Sequence, residues 1–315
     1  MSIDADTITD RRRMKRRLSL WRIVAIVAVA VALIATSLQS GLFPPSEQIA
    51  RIRLEGVIVD DPTLADLLRK VRDDKSVKAV ILYINSPGGT ASAAEAVYEN
   101  VRGIAEKKPV VAVLGTVAAS GGYIAALSAD HIVARGNTIT GSIGVIFQWT
   151  QLQELMGKLG IEMREVKSAP LKAEPNPFTE TSPEALKATE ALIQSSYRWF
   201  LGLVQERRGF DEATTRKLGD GRVYTGFQAM ENGLIDEVGG EQAALAWLRK
   251  ERRIGERLPV RDWTPEEDEF GITDLVGQAM ARAALSTMEG LSQKTLHTKR
   301  LTLDGLTSLW HPEAR

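Results

Sequence analysis

The sequence predicts an α/β domain built on a largely parallel sheet. Apolar runs at residues 50–59, 78–84, 109–114 and 131–134 alternate with helix-length patterns at 62–73, 91–106 and 120–129. Successive βαβ crossovers produce that order. Further helical patterns follow at 184–207, 226–233 and 241–252, punctuated by an Asp-Gly pair at 220–221 and a Gly-Gly pair at 239–240. No internal duplication is present, so a single copy of the domain is expected.

Ahead of the first run, Ile23 to Leu38 carries no charge and is strongly apolar. With Trp21 before it and Leu42 and Phe43 after it, the stretch reaches about 20 residues, enough for one helix to span a bilayer. Pro44 and Pro45 stop it. Arg11, Arg12, Arg13, Lys15, Arg16, Arg17 and Arg22 flank its start, so the positive-inside rule puts the N-terminus in the cytoplasm and the rest of the chain across the membrane. The small residues Ala35 and Ser37 are also spaced as at a signal-cleavage site, so a removable signal is the alternative to an anchor. The expected organisation is a basic segment 1–20, an anchor 21–43, a catalytic domain 48–253, and a linker, amphipathic helix and tail over 254–315.

Composition removes several function classes. Of 315 residues, 40 are basic and 40 acidic, which leaves no basic surface for nucleic acid. There are 0 cysteines, hence no disulfide, thiolate metal site or cysteine nucleophile. The sequence shows no cluster of His and carboxylates with metal-ligand spacing, and it implies no cofactor.

The chemistry is concentrated after the third apolar run. Val113 to Ala119 leads through small residues to Ser120, and Gly121-Gly122-Tyr123 opens a helix. A hydroxyl at a strand-to-helix turn, with glycines that let backbone approach closely, is how a serine nucleophile is presented. It needs a base. Of the 3 histidines, His297 and His311 lie in the polar C-terminal tail, and His131 opens an apolar run beyond the intervening helix. A strand-entry role suits His131 better than catalysis. Lysine is the other known partner, and it acts as a base only when burial keeps its amine neutral. Lys172 stands among Pro170, Pro175 and Pro177, which restrict the backbone and point to an ordered loop, although a surface charge is the ordinary reading of any one lysine.

Five motifs occur in register: Asn85-Ser-Pro-Gly-Gly89, Ala119-Ser-Gly-Gly-Tyr123, Thr140-Gly-Ser-Ile-Gly-Val145, the Lys172 loop, and Gly221-Arg-Val-Tyr-Thr-Gly226 with Gly233-Leu-Ile-Asp236. Over residues 48–250 the chain resembles the signal peptide peptidase A family (protease IV) in its short, single-repeat form. The resemblance implies a ClpP/crotonase-like fold, a repeated superhelix of strands and helices preceded by a membrane anchor. It implies Ser120 as nucleophile, Lys172 as general base and then acid, Ser142 orienting the lysine amine, and the N–H groups of Gly89 and Gly121 as the oxyanion hole. It also implies a homo-oligomer whose active-site chamber is built from several copies. The implied substrates are apolar extended peptides, notably signal peptides left in the membrane. The implied location is the bacterial inner membrane, single-pass, with the catalytic domain on the periplasmic side.

Two rival readings remain at this level. A Ser-Lys protease acting on stomatin-type membrane proteins shares the fold and dyad, so only a substrate profile separates it. A crotonase-fold acyl-CoA enzyme also uses backbone oxyanion donors, but does its acid-base work with acidic residues. Beyond residue 255 the resemblance fades. Pro265 to Glu269 reads as a solvated linker, and Ile272, Leu275, Val276, Ala279, Met280 and Ala283 recur at helical spacing. Leu301, Leu303, Leu306, Leu309 and Trp310 are too apolar to end a tail in water. That tail is expected to dock on the catalytic domain of its own or an adjacent subunit, the substrate cleft being one such place.

Overall fold

The structure is a computed structural model that describes residues 21–23, 25–27, 46–265 and 307–309. The chain divides into two compact units, 1–47 and 48–315. In the first, 21–23 and 25–27 are helical and exposed. The rest of the expected anchor, and the expected helix at 272–283, lie outside the described residues. Among the described residues no helix is long and apolar enough to cross a membrane.

The second unit is a nine-stranded sheet flanked by helices. Its strands are β1 (Gln48–Ile58), β2 (Val77–Thr90), β3 (Val110–Ala119), β4 (His131–Ala134), β5 (Ile139–Gly141), β6 (Val223–Thr225), β7 (Glu237–Val238), β8 (Val260–Trp263) and β9 (Thr307–Leu309). The main path runs β6-β5-β3-β2-β1-β8, with β4 bridging β3 to β7 and β9 set on β2. All pairings are parallel except β5 with β6 and β2 with β9. The expected parallel α/β sheet is thus present, joined by short strands that no apolar run announces.

Helices α1 (Pro62–Asp73), α2 (Ala91–Ala105) and α3 (Gly121–Leu127) are the crossovers, followed by α4 (Gln153–Lys158), α5 (Pro183–Arg208), α6 (Glu212–Leu218), α7 (Gly226–Glu231) and α8 (Glu241–Arg252). Their ends follow from local chemistry. Asp61 accepts from the Thr63 amide at 2.9 Å, with Pro62 opening α1 where a missing N–H costs nothing. Ser182 and Pro183 start α5 in the same way, and Gly209 ends it in the left-handed conformation. Thr225 and Gln228 close a reciprocal capping box on α7.

Strand alternation sends side chains to two cores. From β2, Val80, Leu82 and Ile84 enter the larger core, which also holds Leu67, Leu68 and Val71 of α1 and Phe200 and Val204 of α5. Ala79 and Ile81 point to the other face, where Ala244, Leu245 and Leu248 of α8 cover them. A parallel sheet covered on both faces explains why these strands read as continuous apolar runs. Each fully buried aliphatic side chain contributes at most about 1.5 to 3 kcal/mol.

Candidate active site

Strand β3 runs beside β2 in parallel as far as the pair Ser86 and Ala118, where the register breaks. Asn85 bridges the break, its Oδ1 accepting from the amides of Thr116 and Val117 at 3.2 and 3.3 Å. Beyond it β3 pairs with β5, Ala119 opposite Gly141, and ends at Ser120.

Ser120 occupies φ 57° and ψ −120°, a conformation that side chains other than glycine rarely adopt. Its surroundings hold it there. The Ser120 amide donates to the Gly141 carbonyl at 2.8 Å, and its own carbonyl accepts from the amides of Tyr123 and Ile124 at 2.9 and 3.0 Å. All seven residues of α3 are buried. A strained serine kept at a strand-to-helix corner marks a candidate functional position.

The glycines around Ser120 are required by contact. A Cβ on Gly122 would stand 2.7 Å from the Ser86 carbonyl oxygen, and one on Gly89 would stand 1.8 Å from the Ile58 oxygen. A Cβ on Gly121 would lie 3.2 Å from the Gly89 nitrogen. The backbones of Gly89 and Gly121, which the sequence motifs pair, are therefore direct neighbours beside Ser120.

Ser142 also has a positive φ of 49°, and its amide donates to the Arg222 carbonyl at 2.9 Å. Ser120 and Ser142 share the wall of a cavity of about 320 Å³ whose apolar lining includes Ile143, Ile146, Ile193 and Tyr197. Ile193 and Tyr197 come from α5, one helical turn apart, and the Tyr197 hydroxyl donates to the Gly219 carbonyl at 2.6 Å. The sequence motifs do not point to these two residues. Their spacing on one face of α5 is the one available signal, and it is equally that of a packing face.

Lys172 is placed differently from the expectation of a sheltered base. The proline-studded loop is ordered: Lys167 pairs with Glu165 at 2.6 Å and with Glu174, and Asn176 donates to Glu174 at 3.1 Å and to Thr179 at 2.8 Å. The bond from Lys167 holds the Glu174 carboxyl below the usual carboxylate range. Yet the Lys172 side chain is exposed and does not line the cavity at Ser120. The loop sits in a stretch rich in exposed apolar side chains, among them Leu155, Leu159, Ile161, Met163, Val166 and Leu171.

His131 opens β4 as expected of a strand-entry residue. Its ring stacks on Trp247 with centroids 4.6 Å apart, and Nε2 lies 3.3 Å from Glu237. Among the described residues no group of acidic, His or Cys side chains could hold a metal ion.

Comparison with known proteins gives this arrangement its class. A Clp protease family model matches residues 60–138, which carry β2, α2, β3 and the Ser120 corner, and a peptidase family S49 model matches residues 103–255. A presumptive protease of Synechocystis sp. is 37% identical over 202 residues, 64% of this chain and 73% of that protein. Protease 4 of Haemophilus influenzae is 35% identical over 231 residues, but the chain spans only 37% of its length. A presumptive signal peptide peptidase of Enterococcus faecium is 33% identical over 223 residues, 65% of that protein. The protein is a serine-type peptidase on a mixed α/β, Clp-protease-like scaffold. It belongs to peptidase family S49, as the resemblance to signal peptide peptidase A implied.

Proposed function

We propose that the protein is a membrane-anchored endopeptidase in which Ser120 attacks the peptide carbonyl and Lys172 is the base. The observation that carries this reading is the conformation of Ser120, strained, fixed by backbone hydrogen bonds, and open to a cavity. Lys172 takes the hydroxyl proton, and the alkoxide adds to the carbonyl. The amides of Gly89 and Gly121 stabilise the oxyanion, each such donor being worth about 3 to 4 kcal/mol. Protonated Lys172 then delivers its proton to the leaving amine, and a water activated by the same lysine hydrolyses the acyl-enzyme. Ser142, beside Ser120 on the cavity wall, orients the amine.

A lysine amine in open water is protonated at neutral pH and cannot act as a base. The exposed Lys172 loop and its apolar surroundings therefore support a homo-oligomer in which a neighbouring copy covers this surface and joins Lys172 to its own Ser120. The apolar run before Pro44 supports a single anchor, with the N-terminus cytoplasmic and the catalytic unit on the periplasmic face of the inner membrane. Substrates on this reading are apolar extended peptides, signal peptides among them. The Ile- and Tyr-lined cavity suits such side chains, and the name of the Enterococcus faecium relative agrees with it.

Modification by a serine-directed phosphonate, with mapping of the adduct, tests the assignment. The adduct is expected on Ser120, and Ser120→Ala should lose both labelling and peptide cleavage. Robust cleavage by that variant would refute the nucleophile.

A further inference from the structure

The most consequential contact outside the catalytic groups is made by the C-terminal strand. β9 pairs antiparallel with the last residues of β2, Leu309 opposite Gly88, Ser308 opposite Gly89 and Thr307 opposite Thr90. A strand has two edges. One edge of this part of β2 is taken by β1, which matches Val57 to Gly88 and Ile58 to Gly89. The other edge belongs to β3 only as far as Ser86, because β3 there turns away into the Ser120 corner. β9 fills the position in the sheet that β3 vacates. That position adjoins the nucleophile, since Gly121 packs on the Gly88 and Gly89 backbone.

We propose that residues 307–309 are a built-in competitor that occupies the track on which an extended peptide must lie to reach Ser120, so that the enzyme rests in a self-blocked state. The proposal rests on the reading of Ser120 as nucleophile. Extended peptides add to an open sheet edge through main-chain hydrogen bonds, with side chains supplying preference. The segment on this edge is flanked by Leu306 and Trp310 and ends an apolar run of the sort expected in substrates. Being covalently attached, it competes at an effective concentration on the order of mM, far above that of a dilute peptide. Three paired residues bind weakly enough to yield to a longer apolar substrate, which can add contacts in the cavity beside Ser120. Relief therefore comes from substrate length and apolarity, and short or polar peptides are refused.

The experiment compares the full chain, a chain ending at residue 300, and Ser308→Pro, which removes a main-chain donor from the strand. Amide hydrogen exchange reads docking without reference to activity. Residues 88–90 and 307–309 should be protected in the full chain, and 88–90 should lose protection in both variants. A fluorogenic apolar tetrapeptide reads the block. If the tail closes nine chains in ten, kcat/KM rises about tenfold on truncation, and the phosphonate labels Ser120 faster by the same factor. A synthetic peptide of residues 301–315 should inhibit the truncated enzyme competitively. Free exchange at 307–309 in the full chain overturns the proposal, as does protection there combined with unchanged rates and no inhibition by the peptide. Absence of cleavage and of labelling in all three forms would instead sink the nucleophile assignment, leaving the exchange data to report on docking.

Discussion

The hydroxyl of Tyr123, fully buried, donates a 2.7 Å hydrogen bond to the carbonyl of Leu234, tying the first turn of α3, the helix that opens after Ser120, to a turn 111 residues away. Burial pushes this phenol well above its ordinary pKa, which favours the protonated hydroxyl that donates this bond. The receiving turn is itself fixed. Arg208 donates to the Gly233 carbonyl at 2.7 Å and to Asp236 at 2.7 and 3.2 Å, and Asp236 accepts from the Ile132 amide at 2.7 Å. The Gly233–Asp236 motif thus reaches the Ser120 corner through structure, by bracing α3 against β4 and α5.

Replacing Tyr123 with Phe leaves the Leu234 carbonyl buried without that donor, which costs about 1 to 3 kcal/mol. We expect a lower urea midpoint with an unchanged m-value, together with a reduced kcat and little change in KM, because the helix that holds Ser120 loosens. A variant matching wild type in both respects would show that the hydrogen bond is incidental.

The backbone of Ser120 makes a prediction that separates stability from activity. Its φ and ψ of 57° and −120° are the mirror image of an ordinary extended conformation, which glycine adopts as readily as its mirror and alanine does not. Strain of this kind costs about 1 to 3 kcal/mol, partly offset by the greater freedom of glycine in the unfolded chain. Ser120→Gly should therefore be more stable than Ser120→Ala by about 1 kcal/mol, with both inactive. Equal melting of the two variants would mean that Ser120 is unstrained.

Glycine contacts sort into required and dispensable positions. Gly89→Ala puts a methyl group 1.8 Å from a backbone oxygen that cannot retreat, so the variant should fail to accumulate as folded protein. Gly202 lies inside α5, and a methyl group there would meet nothing within 4 Å, so replacement by Ala should add about 0.5 to 1 kcal/mol of stability. The yield of soluble folded protein reads the first outcome, and a thermal melt against wild type reads the second.

The sequence is informative where physics is local. The alternation of runs and periodic segments reports a sheet covered on both faces, and the small residues around Ser120 report a crowded corner whose close contacts the structure displays. Strands β5 to β8 are short and take their hydrogen bonds from partners distant in the chain, so no local pattern announces them. Ile193 and Tyr197 reach the cavity only because α5 crosses above the Ser120 corner, and spacing along a helix does not say what the helix faces. Lys172 shows the converse: its prolines report an ordered loop, but burial depends on neighbours that a local segment does not contain.

Arg51 gives a pH dependence with a defined sign. It donates to Asp262 of β8 at 2.9 Å and to both oxygens of Glu241 at 2.9 Å, and the bond from Arg51 holds the Asp262 carboxyl below its ordinary range. A depressed carboxylate contributes stability above its unfolded pKa of about 3.9 and loses it as pH falls through the folded value. Because Asp262 is half in water, Asp262→Asn should lower stability at pH 7 by less than about 1 kcal/mol. The difference from wild type should disappear as the medium is acidified below the folded pKa, as followed by urea titration at stepped pH. A difference that grows toward acid would contradict the assigned sign.

The exposure of Lys172 leads to the sharpest test of the proposed dyad. If the lysine of one copy serves the serine of the next, Ser120→Ala and Lys172→Ala are each inactive alone but complement each other when mixed and reassembled. Random mixing in equal amounts places an intact Ser120 beside an intact Lys172 at about a quarter of the sites, each pairing being an independent draw from two subunit types. Recovery of roughly a quarter of wild-type kcat, with KM unchanged, is therefore expected, and phosphonate labelling should be confined to the Lys172→Ala chains. Lys172→Arg should be as inactive as Lys172→Ala, since a guanidinium stays protonated and cannot accept the serine proton. Mixtures without activity, from subunits shown by mass to have exchanged, would place both dyad residues within one chain and require the Lys172 loop to close over its own Ser120.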